Sequence, residues 1–336
     1  MGRKTVYNNL TSEEQITRIS DENKYLKKEF LDYLRSISRS EETISQYSHD
    51  LNIFFVWNLE NNDNKDFVNI KKRDFIKFQN AALNDWGWSS SRIRRVKSCI
   101  SSMSNFIENI MDEEEGYENY RSCINKIENP VNEKVREKTV FTAEELQGLL
   151  DKLCEDEQYE KACVLALAMC SGRRKAELLR FKVSYFDDEN VVFGSLYKTP
   201  EKVKTKGRGK NGKLLELYTL KKPFDPYLKL WLKQREEMGV DDEYLFPNIQ
   251  IETLNSWALT FSKILQRDFY WHSLRHYFVT YLSQCNIPSM VIKEIVGWEG
   301  IEMISVYDDR SSDEMLSKYF DENGIKQIDS TILSDL

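Results

Sequence analysis

Two of the chain's three histidines fall in one short stretch, WHSLRH at residues 271–276, with Arg275 between them. His272 and Arg275 are three apart, so a helix places both on one face. An imidazole exchanges a proton near neutral pH, and a guanidinium offers a fixed fork to an oxyanion. Together they suit proton transfer beside a bound anion. Taken alone the pair is a weak motif, since a lone histidine on an amphipathic helix is more often a packing or surface residue, and company decides its meaning. Three other stretches supply that company: SGRRKAELL at 171–179, a Lys- and Gly-rich run holding Lys202, Lys204, Lys206, Arg208, Lys210 and Lys213, and IVGWEGIEMISVY at 295–307. The chain order is Arg, Lys, His–Arg, Trp, Tyr.

This joint arrangement resembles the catalytic domain of the tyrosine recombinases, the family of phage integrases and Xer-type recombinases. That family has an Arg in a Gly-x-Arg-x-x-Glu-Leu turn, a hairpin Lys, an HxxR box, a Gly-His/Trp pair, and a nucleophilic Tyr nine residues after that His or Trp. Trp298 to Tyr307 is that interval. Residue by residue, the resemblance implies Arg174 as the first arginine, with Glu177 beside it to orient a neighbour or buttress the turn. It implies His272 and Arg275 as the box, Trp298 in the His/Trp position and Tyr307 as the nucleophile. Arg173 is the neighbour that the Gly-x-Arg register passes over. Lys206, in Thr-Lys-Gly, matches the hairpin lysine best, and Lys204 is its rival. His276 also fits the pattern as a supporting residue. The chain has 17 tyrosines, so Tyr307 is singled out only by its spacing from Trp298; Tyr319, in LSKYF, is the decoy. Trp298 can serve as core packing as well.

The chemistry that the resemblance implies explains these residue types. Two guanidiniums, Arg174 and Arg275, can grip the non-bridging oxygens of a phosphodiester and stabilise the charge of a pentacoordinate transition state. A phenol has a pKa of about 10, so Tyr307 must lose its proton during attack, with His272 as general base. Lys206 would protonate the departing 5′-oxygen, and Trp298 would donate its indole N–H to a phosphate oxygen. The product would be a 3′-phosphotyrosine and a free 5′-hydroxyl, and religation reverses the step. No cofactor and no metal is expected.

Positioning such residues needs helices. Apolar stripes at Leu26, Phe30, Leu31 and Leu34, and at Ile44, Tyr47, Leu51 and Phe54, predict the first two of a helical group between residues 23 and 110. Further helices are expected near Arg73–Leu83 and Ser90–Ile110. The stretch from Thr43 to Leu51, T-I-x-x-Y-x-x-D-L, resembles the family's core-binding domain. Residues 125–140 are polar, carry Pro130 and read as a linker. Thr142 with Glu145 forms a capping-box signal, and Phe141 with Leu146 a hydrophobic staple. Helices follow at Tyr159–Ser171, Tyr227–Met238, Thr253–Leu265, Ser273–Cys285, Pro288–Val296 and Asp313–Phe320, with a short element at Ile301–Tyr307. Strand character at Val191–Leu196 and Leu214–Leu220 flanks the basic hairpin. The expected fold is mostly α with a small antiparallel β-sheet. Its expected domains are an arm (1–22), a helical core-binding, DNA-binding domain (23–124), a linker (125–140), a catalytic domain (141–322) and a tail (323–336).

With 336 residues, 40% of them hydrophobic, the chain can bury two ordinary cores. Its longest apolar run, Ala162 to Cys170, is too short to span a bilayer, and the N-terminal residues lack the apolar core of a signal peptide. The six cysteines form no CxxC pair and no zinc-ligand spacing, which reads as reduced thiols in a cytoplasmic protein. The net charge is −7, yet basic residues cluster. Lys71, Lys72 and Arg73 form one group with Lys77; Arg92, Arg94, Arg95 and Lys97 form a second; and Lys204, Arg208 and Lys210 belong to the hairpin. Local clusters, more than net charge, govern nucleic-acid binding, and these are the candidate phosphate contacts. The resemblance implies as partners double-stranded DNA with specific core sites, a homo-tetramer on two sites, and an accessory or directionality protein, with no membrane. The setting would be bacterial or phage, cytoplasmic and nucleoid-associated. Met315, Leu316, Tyr319 and Phe320 form an apolar stripe that either docks on a neighbouring subunit or folds back. Two other functions stay open: a catalytically silent DNA-binding accessory protein of the same fold, and a relaxing enzyme like type IB topoisomerases.

Overall fold

The structure, a computed structural model, describes residues 10–131, 140–205 and 212–311 and, after these, residues 314, 315, 317, 320, 321, 324 and 325. The fold is mostly α with small antiparallel sheets, as the sequence predicts. The chain divides into two compact units, one from Met1 to Glu137 and a second that begins at Lys138.

The first unit is a bundle of α1 (Glu13–Thr17), α2 (Asp21–Ser36), α3 (Glu41–Asn61), α4 (Lys72–Asn80) and α5 (Ser90–Ile110). Ser12, Ser20, Ser40 and Ser89 each accept a backbone N–H from the helix they precede, satisfying donors that have no partner inside the helix. The predicted stripes meet in one core: Leu26, Phe30 and Leu34 of α2 with Ile44, Leu51 and Phe54 of α3 and Ile93, Val96 and Ile100 of α5. Phe54 stacks on Phe75 at 5.4 Å and takes Phe78 edge-on at 5.1 Å. Between α3 and α4 the chain is tied down by a buried amide. Asn23 accepts the Phe67 N–H (2.7 Å) and donates to the Lys65 carbonyl (2.9 Å).

Two expected boundaries shift here. The expected arm, residues 1–22, does not hold as a separate piece from residue 10 onward. Leu10, Ile16 and Ile19 pack on the bundle core, Ile19 fully buried, and the five-residue α1 is too short to register as a periodic pattern. The expected linker likewise begins later than residue 125, because Ile124 and Ile127 seat that strap on the same core.

In the second unit α6 (Ala143–Glu155) starts at the predicted cap: Thr142 Oγ1 accepts the Glu145 N–H and Glu145 accepts the Thr142 N–H. Phe141 and Leu146 are both buried in its core. The centre is α7 (Tyr159–Ser171), buried on all sides from Ala162 to Ala168. It packs against α6, α9 (Lys221–Glu237) and α11 (Trp271–Gln284). α8 (Lys175–Leu178), α10 (Ile251–Leu265), α12 (Ser289–Val296) and α13 (Ile304–Tyr307) are further helices of this unit. The strand expected at Val191–Leu196 is two, β1 (Val191–Val192) and β2 (Leu196–Lys198), because Phe193 and Gly194 turn the chain through left-handed conformations. β3 (Val203–Thr205) pairs with β4 (Lys213–Leu215), and β5 (Tyr218–Leu220) completes the β1-β2-β5 sheet. α9 starts before the expected Tyr227. Pro223 lies in its first turn, where a missing N–H has no helical partner to lose. The helix expected at Asp313–Phe320 falls mostly outside the described residues, and Phe320 lies in β6 (Phe320–Asp321), paired with β7 (Gly324–Ile325).

Candidate active site

The site is built around two helix ends. α7 terminates at Gly172, whose φ of +61° is left-handed. A Cβ there would stand 2.4 Å from Cδ1 of Phe278, so only glycine lets α11 pass this close. The Gly172 carbonyl accepts Nη1 of Arg275 at 2.9 Å. α12 terminates at Gly297, φ +75°, where a Cβ would meet Leu215 at 2.5 Å. The Val296 carbonyl, at that end, accepts Nη2 of Arg275 at 3.4 Å. Arg275 is 1% exposed and, among the described residues, has helix-end carbonyls in place of a carboxylate partner. Such carbonyls carry the negative end of the helix dipole. Burial, then the nearby charge of Arg174, lower its pKa to about 10 against the opposing pull of Tyr307 and Glu177, which leaves it charged at neutral pH.

Arg174 caps α8. Its N–H donates to Oε2 of Glu177 (3.1 Å) and its Nη1 to Oε1 (3.0 Å), while its side chain stays partly exposed. Burial alone would raise the pKa of Glu177. The Arg174 N–H and the charges of Arg174 and Arg173 outweigh burial and hold the carboxyl below its usual range.

Tyr307, the last residue of α13, reaches the same place. Its hydroxyl lies 3.1 Å from Nε2 of His272, and the Arg275 guanidinium sits 5.5 Å from its ring centre. The Trp298 ring lies 5.2 Å away on a 30° tilt and the His276 ring 4.6 Å away. The indole Nε1 of Trp298 is buried and has no hydrogen-bond partner among the described residues. Six of the sequence-derived residues therefore converge: Arg174, Glu177, His272, Arg275, Trp298 and Tyr307, with His276 behind them. A phenol that meets an imidazole nitrogen beside two guanidiniums can release its proton while its oxygen attacks an anion held by them.

Other residues here escaped the sequence reading. Thr280 Oγ1 donates to the Tyr307 carbonyl (3.3 Å) and accepts the Asp309 N–H (3.0 Å). Asp309 Oδ2 is 3.3 Å from Nδ1 of His276. Arg310 pairs with Asp308 and donates to the Ser283 carbonyl. The signal for Thr280 was present: His272, His276 and Thr280 fall at successive i, i+4 positions on one face of α11. Arg173 also proves to be part of the site's frame, donating to the Ile295 and Val296 carbonyls.

The hairpin Lys206, with Arg208 and Lys210, lies outside the described residues. Lys204 is exposed on β3, and its carbonyl accepts Arg180. In the first unit Lys71, Lys72 and Arg73 are exposed around the start of α4. Arg94 donates to the Pro130 carbonyl at 2.7 Å, and Lys97 to that of Ile127. Arg95 pairs with the buried Asp50 at 3.0 Å, and Arg92 lies 4.0 Å over the Trp88 ring. Among the described residues no helix is long and apolar enough to cross a membrane.

Known proteins place the chain. Residues 139–314 match the model of the phage integrase family. The SPbeta prophage-derived recombinase-like protein YomM of Bacillus subtilis (strain 168) is 32% identical over 316 residues, covering 90% of this chain and 92% of YomM. The tyrosine recombinase XerD of Staphylococcus haemolyticus (strain JCSC1435) is 26% identical, over 83% of this chain and 92% of XerD. Among solved structures, XerH recombinase bound to its palindromic difH substrate aligns with a TM-score of 0.63 at 18% identity, over 93% of this chain and 91% of XerH. With the sequence match, the fold and the converging side chains in agreement, the chain belongs to the phage integrase family, the tyrosine site-specific recombinases.

Proposed function

We propose that this chain is a catalytically active recombinase that cuts and rejoins double-stranded DNA at specific core sites through a 3′-phosphotyrosine at Tyr307, and that its natural role is integration or excision of a mobile element. The observation that carries the reading is the Tyr307 hydroxyl at 3.1 Å from Nε2 of His272, with Arg275 against the same ring. In the proposed step the Tyr307 oxygen bonds to phosphorus, its proton passes to His272, and the bond from phosphorus to the 5′-oxygen breaks. Lys206 supplies the proton that the leaving oxygen takes up, with Lys204 as the alternative donor. Arg174 and Arg275 neutralise the charge that builds on the phosphate. Trp298 would give its buried indole N–H, which lacks a partner among the described residues, to a phosphate oxygen. No cofactor takes part, because the bond energy is kept in the phosphotyrosine link.

The mobile-element role is supported by YomM, which is prophage-derived, and the DNA partner by XerH, solved on its difH substrate. A homo-tetramer on two sites, with an accessory or directionality protein, is part of the proposal, as is a cytoplasmic, nucleoid-associated setting. The domain roles are proposed likewise: core binding by the first unit, catalysis by the second.

The test is a plasmid carrying two copies of the DNA that flanks the gene. Exchange between the copies is the expected result. Relaxation of supercoils without exchange would favour a type IB-like relaxing enzyme, and tight binding with neither reaction would favour a silent accessory protein.

A further inference from the structure

Arg173 is 2% exposed and makes no salt bridge among the described residues. Its two terminal nitrogens go to the last carbonyls of α12: Nη1 to Val296 at 3.5 Å, and Nη2 to Ile295. Its Nε is buried and has no hydrogen-bond partner among the described residues. Burial lowers its pKa to about 10, with the neighbouring charges of Arg275 and Arg174 adding to the effect and Glu177 opposing it. Leaving these two carbonyls without a donor would cost some stability, but a buried charge with no carboxylate partner among the described residues is an expensive way to satisfy two helix-end carbonyls. What the guanidinium provides is direction. It spans from the turn that presents Arg174 to the carbonyl end of α12, one glycine before Trp298 and a short way before Tyr307. The Val296 carbonyl is shared with Arg275, so both buried arginines seize the same helix end. At its far end the segment is held by Thr280 and Arg310. Arg173 is the anchor at its entry.

We infer that Arg173 is a positioning residue, which ties the turn of the phosphate-gripping Arg174 to the segment carrying Trp298 and the nucleophile, and so fixes where Tyr307 stands relative to that grip. The inference rests on the recombinase reading for its catalytic consequence, and on geometry alone for the tie itself. Removing the tie should leave DNA binding intact and slow the step in which Tyr307 attacks. A merely structural arginine would lower stability and activity together.

The experiment uses the full-length chain, Arg173→Met and Arg173→Lys, on a nicked DNA duplex that traps covalent product. Three quantities are read for each protein: the adduct rate at saturating DNA, the Kd for that DNA, and hydrogen exchange of the amides at residues 297–303. For Arg173→Met the expected result is an adduct rate down about ten-fold or more, Kd within about two-fold, and local exchange raised about ten-fold, with the thermal midpoint lowered but still well above the assay temperature. Arg173→Lys, with one donor group restored, should recover part of the rate. Should the Met variant fail to fold, the Lys variant carries the same test, with partial loss of rate and partial local opening. Wild-type exchange at 297–303 in a folded variant would overturn the inference, as would a rate loss that follows the melting curve. If the wild-type chain forms no adduct at all, the recombinase reading falls, and the exchange measurement alone then decides the tie.

Discussion

Glu177 does two jobs at one spot: it accepts the Arg174 N–H and steers the Arg174 guanidinium. Charge-assisted bonds of this kind are roughly twice as strong as neutral ones. Glu177→Gln should therefore cost about 1–3 kcal/mol of stability and slow DNA cleavage, read as the urea midpoint and the adduct rate. The pH dependence follows from the lowered pKa of this carboxyl. Its folded pKa lies below the unfolded one, so its stabilisation is complete above the usual carboxylate range and is lost as pH falls through the lowered value. Urea midpoints from about pH 6 down to about pH 3 should drop more steeply in the wild type than in Glu177→Gln; equal slopes would remove Glu177 as a source of acid sensitivity. At this scale the sequence was readable where a motif fixes the position, as with Arg174, His272, Arg275 and Tyr307. Arg173 was passed over because the Gly-x-Arg register skips it, and its partners are main-chain carbonyls more than a hundred residues away. A backbone oxygen leaves no residue-type signature.

Helix ends decide how the elements meet. Gly172 closes α7 in a left-handed turn against Phe278, and its carbonyl holds Arg275. Gly172→Ala should be destabilising by about 2–4 kcal/mol, combining the left-handed penalty with an overpacked contact. A lowered urea midpoint with an unchanged slope would report it. In the bundle, Asn23→Ala would strand the Phe67 N–H and the bond to the Lys65 carbonyl, with a loss of about 1–3 kcal/mol by the same measurement. Long elements were well marked by their patterns and caps: α5 runs where apolar periodicity put it, α7 where a continuous apolar run before Gly172 put it, and α6 starts at its capping box. Short ones were not. α1 and the strap through Ile124 and Ile127 each contribute only one or two apolar side chains to the core, too few to set up a period. The β1–β2 turn was hidden because Phe193, a strand-favouring residue, takes a left-handed conformation.

At the scale of the whole molecule, a net charge of −7 coexists with basic groups whose availability differs. Arg94 and Lys97 already serve chain carbonyls at residues 130 and 127, whereas Lys72 and Arg73 are exposed. Phosphate contacts set the salt dependence of DNA affinity, each worth about 0.9 in the slope of log K against log salt. Lys72→Ala and Arg73→Ala should each flatten that slope by about one, and Arg94→Ala should weaken binding with the slope nearly kept. The most direct measurement is to trap the protein on nicked DNA, digest it with trypsin and find the peptide that carries the nucleotide. Cleavage after Lys293 and Arg310 releases residues 294–310, whose single tyrosine is Tyr307. The DNA should be found on that peptide, with no adduct from Tyr307→Phe. A nucleotide on the peptide holding Tyr319, or an adduct that survives Tyr307→Phe, would contradict the assignment.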